Sequence, residues 1–189
     1  MKLLFETNRL YIELYQRKHI KQVVRFYIKN AEALKEYEPK RDPEFFTYRY
    51  HRKVYRHDRK EMKDLRYLSF VLYKKGNRDE IIGLVNFCDI SFGVSESCRV
   101  GYKVDADERN KGYMQEALKK LAEVMFGSLG LHRIEANVMP SNIASLSLLK
   151  KVGFTEEGYG KKYLKINGEW KDHIHFTLLN DERENTDAR

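Results

Sequence analysis

Apolar residues recur along this chain with two periods, and the change from one to the other marks its elements. Leu10 to Tyr15 alternates and predicts a strand. From His19 to Leu34 the period lengthens, with Ile20, Val23, Val24, Tyr27, Ile28 and Ala31 on one helical face. Pro39 and Pro43 break that helix. Phe45, Tyr48, Tyr55, Met62 and Leu65 then predict a second helical stripe between Pro43 and Arg66. Tyr67 to Lys74, Glu80 to Ile90 and Glu96 to Val104 are the next strands, separated by the turn Gly76-Asn-Arg-Asp79 and the loop Ser91 to Ser95, and they read as an antiparallel meander. Met114, Ala117, Leu118, Leu121, Ala122 and Met125 return to helical spacing, and Leu131 to Met139 is a further strand. A helical crossover joins it to the strand before, so the two run parallel. After Pro140, Ser141 or Asn142 caps a short helix that ends at Val152 before Gly153. Phe154 to Ile166 and Trp170 to Leu179 flank Asn167-Gly168, a strong hairpin signal.

The chain is organised around Val104 to Leu121. A strand runs into Arg109-Asn-Lys-Gly112-Tyr113 and out into a helix. That arrangement gathers backbone N–H groups at the positive end of a helix dipole and can hold a phosphate or pyrophosphate. The alternative reading is an ordinary turn. Neither Gly-x-x-x-x-Gly-Lys-Ser/Thr nor Gly-x-Gly-x-x-Gly is present, so the stretch is not a P-loop or a dinucleotide fingerprint.

The 189 residues suit one domain, expected over 1–180, with a polar tail over 181–189. No apolar run approaches the ~20 residues of a membrane span, so no membrane partner is expected. Cys88 and Cys98 are expected as reduced thiols in a cytoplasmic protein, although a hairpin disulfide is geometrically open. No cysteine or histidine cluster has ligand spacing, so no metal is expected. The net charge is +8, and between Arg49 and Arg66 eight Lys/Arg face three acids, with His51, His57, Tyr50 and Tyr55 interleaved. This segment is either a solvated helix face or a surface for an anionic partner such as RNA.

The order of elements resembles the GNAT superfamily of acetyl-CoA-dependent N-acetyltransferases. Its pyrophosphate motif, Gln/Arg-x-x-Gly-x-Gly/Ala, is similar to Arg109-Asn-Lys-Gly112-Tyr-Met114, with Met at the third anchor. Arg109 to Leu118, His132 to Ser145, Lys151 to Tyr159, Tyr163 to His173 and Tyr37 to Pro43 resemble the ribosomal-protein N-acetyltransferase branch, RimJ and RimL. The resemblance implies a mixed, mostly antiparallel α/β sheet of six to seven strands, helices on both faces and a central splayed parallel pair. It implies acetyl-CoA as cosubstrate, its pyrophosphate on Arg109, Asn110, Lys111, Gly112, Tyr113 and Met114. Its arm would meet the backbone of Tyr102 and Val104 and the side chain of Asn142, which also reads as a helix cap. By the same resemblance Ser145 would protonate the leaving thiolate. The glutamate placed before the final hairpin turn in some relatives is matched by Leu164, so its role is not carried over. Glu135 is a remaining base candidate on the parallel strand, with Asn137 beside it and Glu38 on the substrate side. His132 and His173 could also act as bases, with packing the favoured reading of each.

The implied partner is a protein N-terminus, of a ribosomal protein first, with the basic segment 49–66 contacting an RNA-rich particle. The state is expected to be monomer or homodimer. Titration agrees with an α-amine: near pH 7.5 roughly a third of α-amines are neutral, against about 0.1% of lysine side chains. Two alternatives stand beside this reading. One is an acetyltransferase for a small amine, which a net-acidic cleft would favour. The other is a non-catalytic basic module that docks on RNA.

Overall fold

The computed structural model describes residues 4–180, so the expected tail at 181–189 lies outside the described residues. One eight-stranded sheet runs through them in the order β1-β2-β3-β4-β5-β6-β8-β7. β1 (Leu4–Glu6) and β2 (Leu10–Leu14) form a hairpin, and β3 (Leu68–Lys74), β4 (Gly83–Ser91) and β5 (Ser97–Val104) form the expected meander. β6 (Arg133–Val138) pairs parallel with β5, and β7 (Thr155–Ile166) and β8 (Glu169–Leu179) make the Asn-Gly hairpin. The mixed sheet is as expected, with one strand more than the six or seven implied. The additional strand is β1, whose three residues are too few to show a period.

Helices cover both faces. β3 is buried along nearly its whole length, and its alternation divides the core. Leu68, Phe70 and Leu72 pack with α4 (Tyr113–Glu123) and α5 (Ile143–Val152), while Val71 and Tyr73 pack with α1 (Ile20–Lys29). Each such fully buried side chain stabilises the fold by ~1.5–3 kcal/mol relative to exposure. α3 (Tyr48–Lys63) lies against α1, Tyr27 stacking on His51 at 5.4 Å and Tyr15 meeting Tyr55 edge-on at 5.4 Å. Three members of the expected stripe fall elsewhere. Tyr48 is exposed, the buried position going to His51, Phe45 belongs to the separate turn Pro43–Phe46, and Leu65 follows the end of α3 at φ +52°. The cysteines are free and not opposite one another, because Cys88 pairs with Arg99.

The first helix departs most from expectation. α1 stops at Lys29, and a short α2 (Ala31–Leu34) restarts after Asn30. The Asn30 side chain is buried and bonds across the fold. Nδ2 donates to the Phe26 carbonyl (2.9 Å) and to Asp105 Oδ2 (3.2 Å), and Oδ1 accepts from the Ala106 N–H (2.8 Å). Lys29 Nζ completes the group 2.9 Å from Asp105. Asp105 follows β5 and precedes the central loop, so this network fixes that loop against α1. Asn30→Ala would leave the Ala106 N–H and Asp105 short of partners, and we expect it to lower unfolding stability by about 2–3 kcal/mol in urea titration.

Candidate active site

The parallel pair supplies the site. Register partners join β5 and β6 only between Ser97–Arg99 and Arg133–Glu135. Beyond Arg99, β5 continues along β4 to Val104, while β6 continues along β8 to Val138. The strands diverge, and a groove of about 290 Å³ opens between Val100–Lys103 and Ala136–Met139. The inward backbone groups of both walls have lost their strand partner there and can take a ligand's amides instead.

At the head of the groove α5 begins. Asn142 caps it as expected, its Oδ1 accepting the Ser145 N–H at 3.1 Å, and both residues line the groove. Ser145 Oγ lies 2.6 Å from Tyr102 Oη. The resemblance gives Tyr102 a backbone role only, yet its side chain meets Ser145 here. Burial pushes its phenol up to about 12, against the pull of the Ser145 hydrogen bond, so it keeps its proton near neutrality. The pair therefore holds two hydroxyl hydrogens for one mutual contact, leaving one to donate onward.

The loop lies at the start of α4. Gly112 is the N-cap at φ +79°, in the left-handed region, and the cap has no side-chain hydrogen bond. Helical bonding begins with the Glu116 N–H donating to the Gly112 carbonyl (3.1 Å), which leaves the N–H groups of Tyr113, Met114 and Gln115 at the open end. Asn110 precedes them at φ +60°. The loop's cations are already engaged. Arg109 donates to the Ala33 carbonyl in α2 (2.9 Å), and Lys111 pairs with Glu108 (3.0 Å). Met114 is buried in the core, its Cε beside Gly83, so a methionine is accommodated at that anchor and only its backbone remains for a ligand. Val104 ends β5 outside the groove lining. Arg9, which the sequence did not single out, reaches the loop from the first hairpin. It donates to the Lys111 carbonyl (2.9 Å), pairs with Glu116 (2.7 Å) and lies over the Tyr113 ring (4.7 Å).

Glu38, expected on the substrate side, lies between two cations, Lys103 Nζ at 2.5 Å and Arg41 Nη2 at 3.0 Å. Burial would raise Glu38, but Lys103 and Arg41 hold it below the usual carboxylate range. Burial would lower Lys103 in turn, but Tyr27 and Glu38 keep it above the lysine range. Asn137 lines the groove and bonds His175 at 2.6 Å. Glu135 does not line it. Arg133 holds that carboxylate at 2.7 Å and also pairs with Glu157, so the base role expected of Glu135 does not fit its position. His173 is the reverse case: expected in packing, it lies on the groove wall.

Residues 9–155 match the family described as Acetyltransferase (GNAT) domain. The chain belongs to the GNAT acetyltransferase family. It is 31% identical to the ribosomal-protein-S5-alanine acetyltransferase of Vibrio fischeri, over 96% of this chain and 98% of that one, with a TM-score of 0.90. Mycobacterium smegmatis RimJ, solved in complex with CoA-disulfide, is 27% identical over 92% and 83% of the two chains, with a TM-score of 0.86. The ribosomal protein uS5-alanine N-acetyltransferase of Escherichia coli is 43% identical over 50% of this chain and 49% of its own. The chain spans about half the length of the curated relatives it matches.

The residues of this GNAT chain fit a CoA thioester. The diverging strand edges suit an extended amide-bearing arm, and a Cβ at Gly101 on the β5 wall would meet nothing within 4 Å. The open end of α4 beside Arg9 suits a pyrophosphate. Gly112→Glu would set a carboxylate there at a left-handed φ. We expect it to abolish acetyl-CoA binding in calorimetry while the protein stays folded by circular dichroism; unchanged affinity in the folded variant would move the site elsewhere.

Proposed function

We propose that this chain is an acetyl-CoA-dependent N-acetyltransferase for the N-terminal α-amine of a protein, ribosomal proteins being the first candidates. The observation that carries the reading is one groove lined by both the Tyr102–Ser145 hydroxyl pair and Glu38, between strand edges left open by the divergence of β5 and β6. In this reading the N–H groups of Tyr113, Met114 and Gln115 hold the pyrophosphate, and the β5 edge at Gly101–Lys103 orients the thioester. Ser145, bonded to Tyr102, donates to the leaving sulfur. Two relatives named for alanine acetylation of S5 support a protein N-terminus.

Charge separates this from the small-amine alternative. The charged residues lining the groove are Glu38, Arg41 and Lys103, together with the titratable His173, which is not the net-acidic cleft a polycation asks for. A peptide α-amine brings one charge and is already partly neutral near pH 7.5. Peptides beginning with alanine should therefore be acetylated with kcat/KM at least ~10-fold above spermidine; the reverse order would establish the small-amine reading. With the preferred peptide, Ser145→Ala should lower kcat by ~10²-fold and leave the KM for acetyl-CoA nearly unchanged.

The outer face of α3 bears on the size of the substrate. Arg49, Arg52, Lys53, Arg56, Arg59, Lys60 and Lys63 are all exposed, at the spacing of one helical stripe, about 21 Å long at 1.5 Å per residue. The acids are off it or engaged: Asp58 is half-buried, its carboxyl pushed up to about 6 by burial, and Glu61 and Asp64 pair with Arg66. This supports guidance onto a protein embedded in an RNA-rich particle. Replacing Arg52, Lys53, Arg56 and Lys60 by Gln should spare peptide turnover and weaken acetylation of the assembled substrate. The latter should also fall with salt at a log–log slope of about −0.7 to −0.9 per phosphate contact. Salt titrations of the two reactions that superimpose would remove the guiding role.

A further inference from the structure

The attacking amine has to lose a proton, and neither carboxylate expected to take it is suited. Glu38, despite its burial, is held ionised by Lys103 and Arg41, which makes it a weak base, and Glu135 is outside the groove. The resemblance would set a third carboxylate before the hairpin turn, and this chain carries Leu164 there.

His173 remains. It sits on β8 opposite Gly160 of β7, is only 3% exposed, and still lines the groove together with Asn137 and Ser145. Its Nδ1 lies 3.1 Å from the Lys171 carbonyl. A carbonyl oxygen can only accept, so the hydrogen of the neutral ring is on Nδ1 and the lone pair is on Nε2. The Tyr163 ring, 5.8 Å away, packs beside the imidazole and helps to hold its plane. This leaves Nε2 as the ring atom of a groove-lining histidine that can take a proton.

We propose that His173 is the general base of the acetyl transfer, accepting the amine proton at Nε2 directly or across one water. This role rests on the acetyltransferase reading above. In the step, the amine nitrogen forms a bond to the thioester carbonyl carbon, and the carbon–sulfur bond breaks. One amine proton passes to His173 and from there to solvent. The sulfur receives a proton from Ser145, which is restored from solvent. No oxidant or further reactant is needed.

Burial pushes the His173 imidazole below the usual histidine range, which keeps it neutral and able to accept at pH 7. On its own strand the Lys171 carbonyl and Asp172 favour its charge, and His175 disfavours it. Across the hairpin it meets Tyr163, and the groove adds Glu38, Arg41 and Lys103. The activity should therefore fall on the acid side as His173 takes a proton, with an apparent pKa below the ~6.5 of a free histidine.

The test compares wild type and His173→Gln with an alanine-initiated peptide across pH 5–9. Glutamine sets an uncharged amide near the position of Nε2 but is not basic enough to take the proton. We expect kcat to fall by ~10²–10⁴-fold, the acid limb of the pH profile to disappear, and acetyl-CoA affinity by calorimetry to stay within about twofold. A folded variant with kcat within about threefold of wild type, or one that keeps the acid limb, overturns the proposal. A ¹⁵N spectrum of the wild-type histidines needs no variant: a hydrogen on Nε2 instead of Nδ1 of His173 overturns it as well. A wild type that turns over none of the peptides would instead sink the N-terminal reading, so the two failures are distinguishable.

Discussion

The divergence of β5 from β6 is the constraint on which the rest of the structure depends. Each strand is held by its other neighbour, β5 by β4 and β6 by β8, so neither can close the gap without breaking an established ladder. A sheet interior with unpaired backbone is costly unless something else bonds to it. The fold therefore keeps an open slot between the two strands, and the surrounding elements are arranged at its ends.

Two anchors keep the slot in shape. At the loop end the buried Asn30–Asp105–Lys29 group ties the exit of β5 to α1. At the other end the Asn167 N–H at the hairpin tip donates to the Glu38 carbonyl (3.0 Å), joining β7–β8 to the segment after α2. The Glu38 side chain turns to Lys103 on β5, so the same residue links the hairpin, the post-helical segment and the groove wall. The break in the first helix at Asn30 makes sense in this setting. There one side chain satisfies the Ala106 N–H and Asp105 together.

The chemistry follows from how protons are held along the slot. The Tyr102–Ser145 pair keeps its hydrogens because burial disfavours the phenolate. Glu38, though buried, has given up its proton because two cations surround it. His173 is neutral because burial disfavours its cation. A donor, a fixed charge and an acceptor thus share one groove and differ in protonation through environment alone. In the proposed reaction that division suits transfer to an amine that is already partly neutral.

What could be read in the sequence depended on residues within a few positions of one another. Asn167-Gly168 makes its hairpin, Asn142 caps α5, Gly153 ends it at a left-handed φ, and Gly112 opens α4, because each conformation is set by its own local backbone. The parallel run of β5 and β6 was legible too, since a single helical crossover joins them. Only the tertiary structure decided which strand faces line the groove. Tyr102 and Ser145 are 43 residues apart, and Arg9 and Lys111 are 102 apart. Glu135 and Asn137 share one face of β6 yet have different fates, since β5 is still paired at Glu135 and has left by Asn137. A strand's alternation says that a side chain points to one of two faces; where the neighbouring strand ends, and so which residues reach the open slot, is set by pairing across the whole sheet.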